Sequence, residues 1–167
     1  MQNILTWFED YRETVKIKAR KQSKKVDPRC LADGNELLRF YATNVACSLG
    51  SSSSGLCNLE NCGACRILRN GFSANMDFVG RVGIFATSTS ERALAYVEAH
   101  FNKRKALFVC RVIAGKIHSP LRKFDQAFSH SGFDSLAWKV GRNREAEELF
   151  VLSPKAVLPC FVVIYKI

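Results

Sequence analysis

A mixed α+β domain is the fold class that this sequence predicts, and three observations predict it. Apolar residues recur at helical spacing near the start of the chain. Short runs rich in β-branched and aromatic residues gather in the C-terminal half. Helix signals stand between those runs, and no internal repeat organises them. The length, 167 residues, fits one domain of ordinary size or one domain with an arm, and is enough to bury a core. With 47% hydrophobic and 24% charged residues, the composition is that of a globular chain rather than a disordered one. No apolar run approaches the ~20 residues that a membrane-spanning helix needs. Residues 1–25 lack an apolar signal core and carry Glu9, Asp10 and Glu13, so a secretory signal is not expected.

The opening segment reads as an amphipathic helix. Ile4, Phe8, Tyr11 and Val15 fall on one face. Arg12, Lys16, Lys18, Arg20, Lys21, Lys24 and Lys25 crowd its second half, where the negative end of the helix dipole favours cations. Asp27-Pro28 is expected to end it, because proline drives its predecessor out of the helical region. These cations account for much of the +10 net charge. They read as a solvated face of a docking helix, or as a nuclear-import or phosphate-binding patch with weak, salt-sensitive affinity for nucleic acid.

Leu37 to Thr43 reads as a buried strand. Ser51 to Ser54, between Gly50 and Gly55, reads as a flexible loop. A short helix from Cys65 to Arg69 follows, closed by Asn70-Gly71. Val82 to Ala86 reads as a strand. Ser88 and Glu91 form a capping-box pattern for a helix reaching about His100. Ala106 to Ile113 is a strong strand signal, and Lys116 to Lys139 reads as a long loop region. Glu145 to Ser153 and Leu158 to Tyr165 read as closing strands joined across Ser153-Pro154.

Seven cysteines in a chain without an export signal favour free thiols or a metal site over a disulfide scaffold. Four of them, Cys47, Cys57, Cys62 and Cys65, surround the serine loop. The pair Cys62-Gly-Ala-Cys65 can aim two thiolates at one tetrahedral ion, with Cys57 and Cys47 completing a structural zinc site. Four free thiols, or a redox pair of Cys62 and Cys65, are the other readings of the same residues. Cys110 and Cys160 sit in apolar strands and read as core, and Cys30 lies in a linker.

The other chemical groups are sparse: His100, His118 and His130 have no ligand or triad spacing. The chain nevertheless resembles the catalytic domain of poly(ADP-ribose) polymerases, the diphtheria-toxin-like ADP-ribosyltransferase fold, in four stretches in the same order. Phe40-Tyr41-Ala42-Thr43 stands where the family has Phe-His-Gly-Thr. Gly83-Ile84-Phe85-Ala86 through Ser90-x2-Ala93-x2-Tyr96 is similar to Gly-Ile-Tyr-Phe-Ala…Ser-x2-Ala-x-Tyr. Ala106 to Lys116 is similar to Met-Leu-x-Cys-x-Val-x-x-Gly. Gly132-Phe-Asp-Ser135, Glu148-Leu-Phe-Val151 and Leu158-Pro159-x-Phe161 resemble Gly-Tyr-Asp-Ser, Glu-Tyr-x-Val and Tyr-Pro-x-Tyr. The resemblance runs from Leu37 to the end, and the cysteine insert looks most like a plant branch of the family.

The resemblance implies a split β-sheet core with flanking helices over residues 30–167, with a cysteine-rich insert at 44–65 and a separate basic helix and linker at 1–29. It also implies an NAD+ site. There Glu148 would be the catalytic carboxylate, stabilising oxocarbenium charge on the ribose as nicotinamide leaves. Ser90 would meet the nicotinamide amide and Tyr96, one residue late, would stack on the ring. Tyr41 and Ala42 depart from His-Gly: the phenol reaches a different point, and the Ala42 methyl stands where the nicotinamide approaches bare backbone. The implied protein is a degenerate transferase acting as a binding or regulatory module with protein partners, nuclear or cytoplasmic. The alternatives are an active mono-ADP-ribosyltransferase using Glu148 and a zinc-bearing nucleic-acid-binding domain.

Overall fold

The run from Ala106 to Ile113 forms the expected strand, and alternation decides which way it faces: Ala106, Phe108, Cys110 and Val112 are fully buried on one side. A computed structural model describes residues 2–22, 26–52, 54–76, 82–97, 104–119, 132–142 and 144–166. The elements in the first half are α1 (Gln2–Lys21), α2 (Pro28–Ala32), β1 (Glu36–Asn44), α3 (Gly63–Asn70), β2 (Asn75–Met76), β3 (Val82–Thr87) and α4 (Ser90–Ala95). Then follow β4 (Arg104–Ile113), β5 (Ile117–His118), β6 (Ser135–Val140), β7 (Ala146–Val151), a 3-10 turn (Pro154–Ala156) and β8 (Val157–Lys166).

The architecture is mixed α+β. Seven strands run in the order β5-β6-β7-β3-β1-β4-β8, with β2 attached to β3. Among the described residues only β5 and β6 are parallel neighbours. The sheet is nearly divided in two. β1 pairs with β4 from Glu36 to Asn44, yet it meets β3 at a single rung, Phe40 opposite Thr87. One half is therefore β8-β4-β1 and the other is β3-β7-β6-β5.

α1 lies against the first half. Phe8 is fully buried and Val15 nearly so, in the cluster that also holds Phe108, Cys110 and Val112. Burying a side chain of this size stabilises the fold by about 1.5–3 kcal/mol. Ion pairs fix the docking angle: Arg12 reaches Glu9 (2.8 Å) and Glu36, and Arg111 grips Glu36 with two bonds of 2.6 and 2.9 Å. The guanidiniums of Arg12 and Arg111 lie 5.2 and 5.4 Å from the centre of the Phe8 ring. Lys18 extends the contact to Asp134 at 2.8 Å. The basic helix thus shares the main core, and part of its charge is spent on intramolecular pairs.

Several local expectations are corrected. Asp27-Pro28 opens a helix instead of closing one. Pro28 occupies the first turn of α2, where no N–H is needed, and the Asp27 side chain accepts the Arg29 N–H; α1 has already stopped at Lys21. Lys24 and Lys25 lie outside the described residues. Cys30 is buried on α2, so its linker is partly helical. The cap of α4 is Thr89 and not Ser88, because the Ser88 hydroxyl is engaged by the Glu147 N–H of β7. The His100 end of the expected helix is outside the described residues.

The region from Lys116 to Lys139 is not all loop. β5 and β6 lie within it, paired with each other, and residues 120–131 fall outside the description. Cys160 is exposed, whereas Cys110 is buried as expected. The reason is a bulge: Val109 faces Phe161 and Cys110 faces Pro159, so Cys160 is left unpaired and turned out of the core. The closing strands exist as expected, but β7 lies inside one half of the sheet and β8 forms the outer edge of the other.

Candidate metal centre and cleft

Cys47, Cys57, Cys62 and Cys65 converge, with all four sulfurs within 4.8 Å of one another. The Cys47 sulfur is 3.7 Å from that of Cys62 and 3.6 Å from that of Cys65. A disulfide requires about 2.05 Å, so these are separate thiols. A tetrahedral set of thiolates on zinc, with bonds of about 2.3 Å, has edges of about 3.8 Å. The cluster is compatible with zinc on that ground and on its all-sulfur donor set.

Local structure explains the convergence. α3 begins at Gly63, two residues before its own Cys65, and packs so tightly on β1 that a Cβ at Gly63 would lie 2.1 Å from the Thr43 hydroxyl. Asn44 ties the approach from the other side: its Oδ1 accepts the Gly63 N–H at 3.3 Å, and its Nδ2 donates to the Asn61 carbonyl at 2.6 Å. The expected helix is therefore present, longer by a turn, and Gly71 closes it with φ 77°. The Ala46 N–H donates to the Cys62 sulfur at 3.4 Å. Burial opposes ionisation of Cys62, but the N–H groups of Cys65 and Ala46 and the neighbouring thiols outweigh it and bring that thiol down to about 7. Cys65 is pushed up to about 12, chiefly by burial.

Glu148 stands on β7 opposite Thr87 and Trp138, and it is fully buried. Its Oε1 accepts from Arg92 Nε at 2.9 Å and Nη2 at 2.8 Å, and from the Tyr96 hydroxyl; its Oε2 accepts from the Trp138 indole N–H. Arg92 and Tyr96 lie four residues apart at the end of α4 and reach the carboxylate together. Burial and the bond to Glu148 push the Tyr96 phenol up to about 12. Sequence reasoning did not assign Arg92 or Trp138. The i, i+4 spacing of Arg92 and Tyr96 was the available signal for the first; nothing local marks the second.

A cleft of about 200 Å³ opens at the seam of the two half-sheets. Phe40, Tyr41 and Ala42 of β1 line one side, Gly83, Phe85 and Thr87 of β3 the other, and Tyr96 closes it. The fold thus brings Tyr41, Ala42 and Tyr96 to one cleft, with Glu148 hydrogen-bonded behind Tyr96. Ser90 is the first residue of α4 and is not among the lining residues. The Tyr41 ring packs edge-on against Phe72, with centroids 5.0 Å apart, and burial raises its phenol above the ordinary range. Among the described residues no helix is long and apolar enough to cross a membrane. Comparison with known proteins matches the chain to no family model and to no curated relative.

Proposed function

We propose that this chain is an ADP-ribosyltransferase-like module that acts by binding rather than by transferring ADP-ribose, with a structural zinc ion on Cys47, Cys57, Cys62 and Cys65. The observation that carries the reading is the state of Glu148. A transferase carboxylate must offer its charge to the ribose as nicotinamide leaves. Here the carboxylate is fully buried, is neutralised by Arg92, and accepts from Tyr96 and Trp138 as well. Charge-assisted bonds of this kind are among the strongest that a side chain makes, so its partners hold it against a competing ligand.

The seam supports the same reading. The Ala42 methyl occupies a lining position where the resemblance calls for glycine, and the Tyr41 ring is committed to Phe72. Zinc would be held by four protein thiolates with no position left for water, so it would brace the insert rather than react.

The deciding experiment is incubation of the purified chain with labelled NAD+, followed by separation of protein-bound label. No incorporation is expected, together with no shift of the thermal midpoint at millimolar NAD+. Saturable incorporation that disappears in Glu148→Gln would replace this reading with that of an active mono-ADP-ribosyltransferase.

A further inference from the structure

The four cysteines reach their meeting point by two different routes. Cys62 and Cys65 belong to the start of α3, and helical bonding holds their backbone: the Cys62 carbonyl accepts the Arg66 N–H at 3.1 Å. Cys47 and Cys57 lie in coil, where no ladder or helix holds the carbonyls. Each of those two carbonyls is instead taken by a guanidinium. Arg104, the first residue of β4, donates from Nη1 to the Cys47 carbonyl and from Nη2 to the Leu49 carbonyl. Arg69, in the last turn of α3, donates from Nη2 to the Cys57 carbonyl.

We infer that Arg104 and Arg69 are the positioning residues of the metal centre: they hold its two coil ligands in place. The inference rests on the reading of the cluster as a zinc site. The β1–β4 ladder ends with Asn44 opposite Lys105, and the Val45 N–H then donates to the Arg104 carbonyl at 3.2 Å. Beyond that point the chain leaves the sheet, and the Arg104 fork satisfies carbonyls that the ladder no longer reaches. Its planar donors fix two carbonyls at once, which a lysine ammonium on a flexible stem does not do. Hydrogen-bonded groups behind metal ligands commonly control affinity by about 10–100-fold.

The test is the rate at which the zinc-loaded chain surrenders Zn2+ to a chromogenic chelator, at a temperature where circular dichroism shows every variant folded. Arg104→Ala is expected to release zinc about tenfold faster or more, and Arg69→Ala to release it faster by a similar factor. Arg104→Lys, which keeps the charge but loses the fork, should fall between wild type and Arg104→Ala. Arg66→Ala removes one exposed positive charge from α3 but keeps the backbone N–H that the Cys62 carbonyl accepts, and should match wild type. With Co2+ in place of Zn2+, the thiolate-to-metal absorption should broaden or shift in Arg104→Ala and not in Arg66→Ala. If Arg104→Ala does not fold, Arg69→Ala decides by the same assay. Wild-type release rates in both the Arg104 and Arg69 variants, or equal acceleration in Arg66→Ala, overturn the inference alone. A wild-type chain that retains no zinc after purification overturns the zinc reading, and this inference with it.

Discussion

The cysteine cluster and the Glu148 cluster are both knots of polar side chains in a largely apolar interior, yet they are built on opposite principles. Glu148 is an acceptor surrounded by donors: Arg92, Tyr96 and Trp138 complete it from within the chain. The four cysteines are alike, and a thiol is only a weak donor and a weak acceptor, so their mutual contacts at 3.6 and 3.7 Å contribute little by themselves. Strong residues that satisfy one another form structure. Like residues brought together at little mutual gain point to something outside the chain that binds them all. That contrast separates the cysteine cluster, whose geometry is compatible with a metal ion, from the carboxylate, whose named partners all come from the chain itself.

The sharpest way to break the comparison is to test the cysteine cluster for a metal. Purified protein should carry one zinc per chain by elemental analysis, and Cys62→Ser should carry none. Structural zinc in small zinc peptides contributes about 10–16 kcal/mol of apparent binding free energy near neutral pH. Even a fraction of that should lower the melting midpoint by roughly 10 °C in chelator, at about 2–4 °C per kcal/mol for a chain of this size. An unchanged midpoint and no bound metal would reduce the cluster to four free thiols.

A smaller effect is expected from the carboxylate. Breaking a fully buried ion pair costs about 3–5 kcal/mol. The Arg92 side chain is 39% exposed and regains water when its partner is lost, so Glu148→Ala should destabilise the fold by about 3 kcal/mol, at the lower end. Urea titration reads this directly. If stability is unchanged, Glu148 is not a structural carboxylate and the contrast with the cysteines collapses.

The smallest effect concerns pH. Tyr96 is held up to about 12, first by burial and then by Glu148, against an ordinary value of 10. Above that ordinary value the unfolded chain loses the phenol proton while the folded chain keeps it. The contribution is therefore complete below about pH 10 and drains away as pH rises towards about 12. Tyr96→Phe should flatten the fall in stability across that window, measured by urea titration alongside phenolate absorbance. An identical slope in the variant would show that the folded surroundings of Tyr96 do not hold its phenol above the ordinary value.

Much of this arrangement is written locally. The spacing of Ile4, Phe8, Tyr11 and Val15 gives α1 and its buried face, and the Cys62/Cys65 pair with Gly63 between them marks the turn that starts the metal centre. Other parts depend on partners far along the chain. β6 carries no clean alternation, and exists because β7 pairs along its whole length while β5 joins its other edge. Cys160 shares an apolar strand with Val162, so period-2 reasoning buries it; one extra residue at the bulge turns it to solvent. Trp138 comes to Glu148 across the β6–β7 ladder, so it could not be assigned before those strands were in register, whereas Arg92 stands four residues before Tyr96 and had that spacing as its signal.

The single rung between Phe40 and Thr87 has a mechanical consequence. A sheet transmits shear through its ladders, and here one ladder has shrunk to a hinge pin, supplemented by the Arg39–Glu147 ion pair and by α4 lying across the join. The two half-sheets therefore meet as leaves joined beneath by a common apolar core, in which Ile84, Leu149 and Val151 of one pack with Phe108, Cys110 and Val112 of the other. Any molecule seated between Ala42 and Phe85 touches both leaves at once. Such a molecule would act as a wedge or as a clasp, and its grip would be felt along the whole sheet.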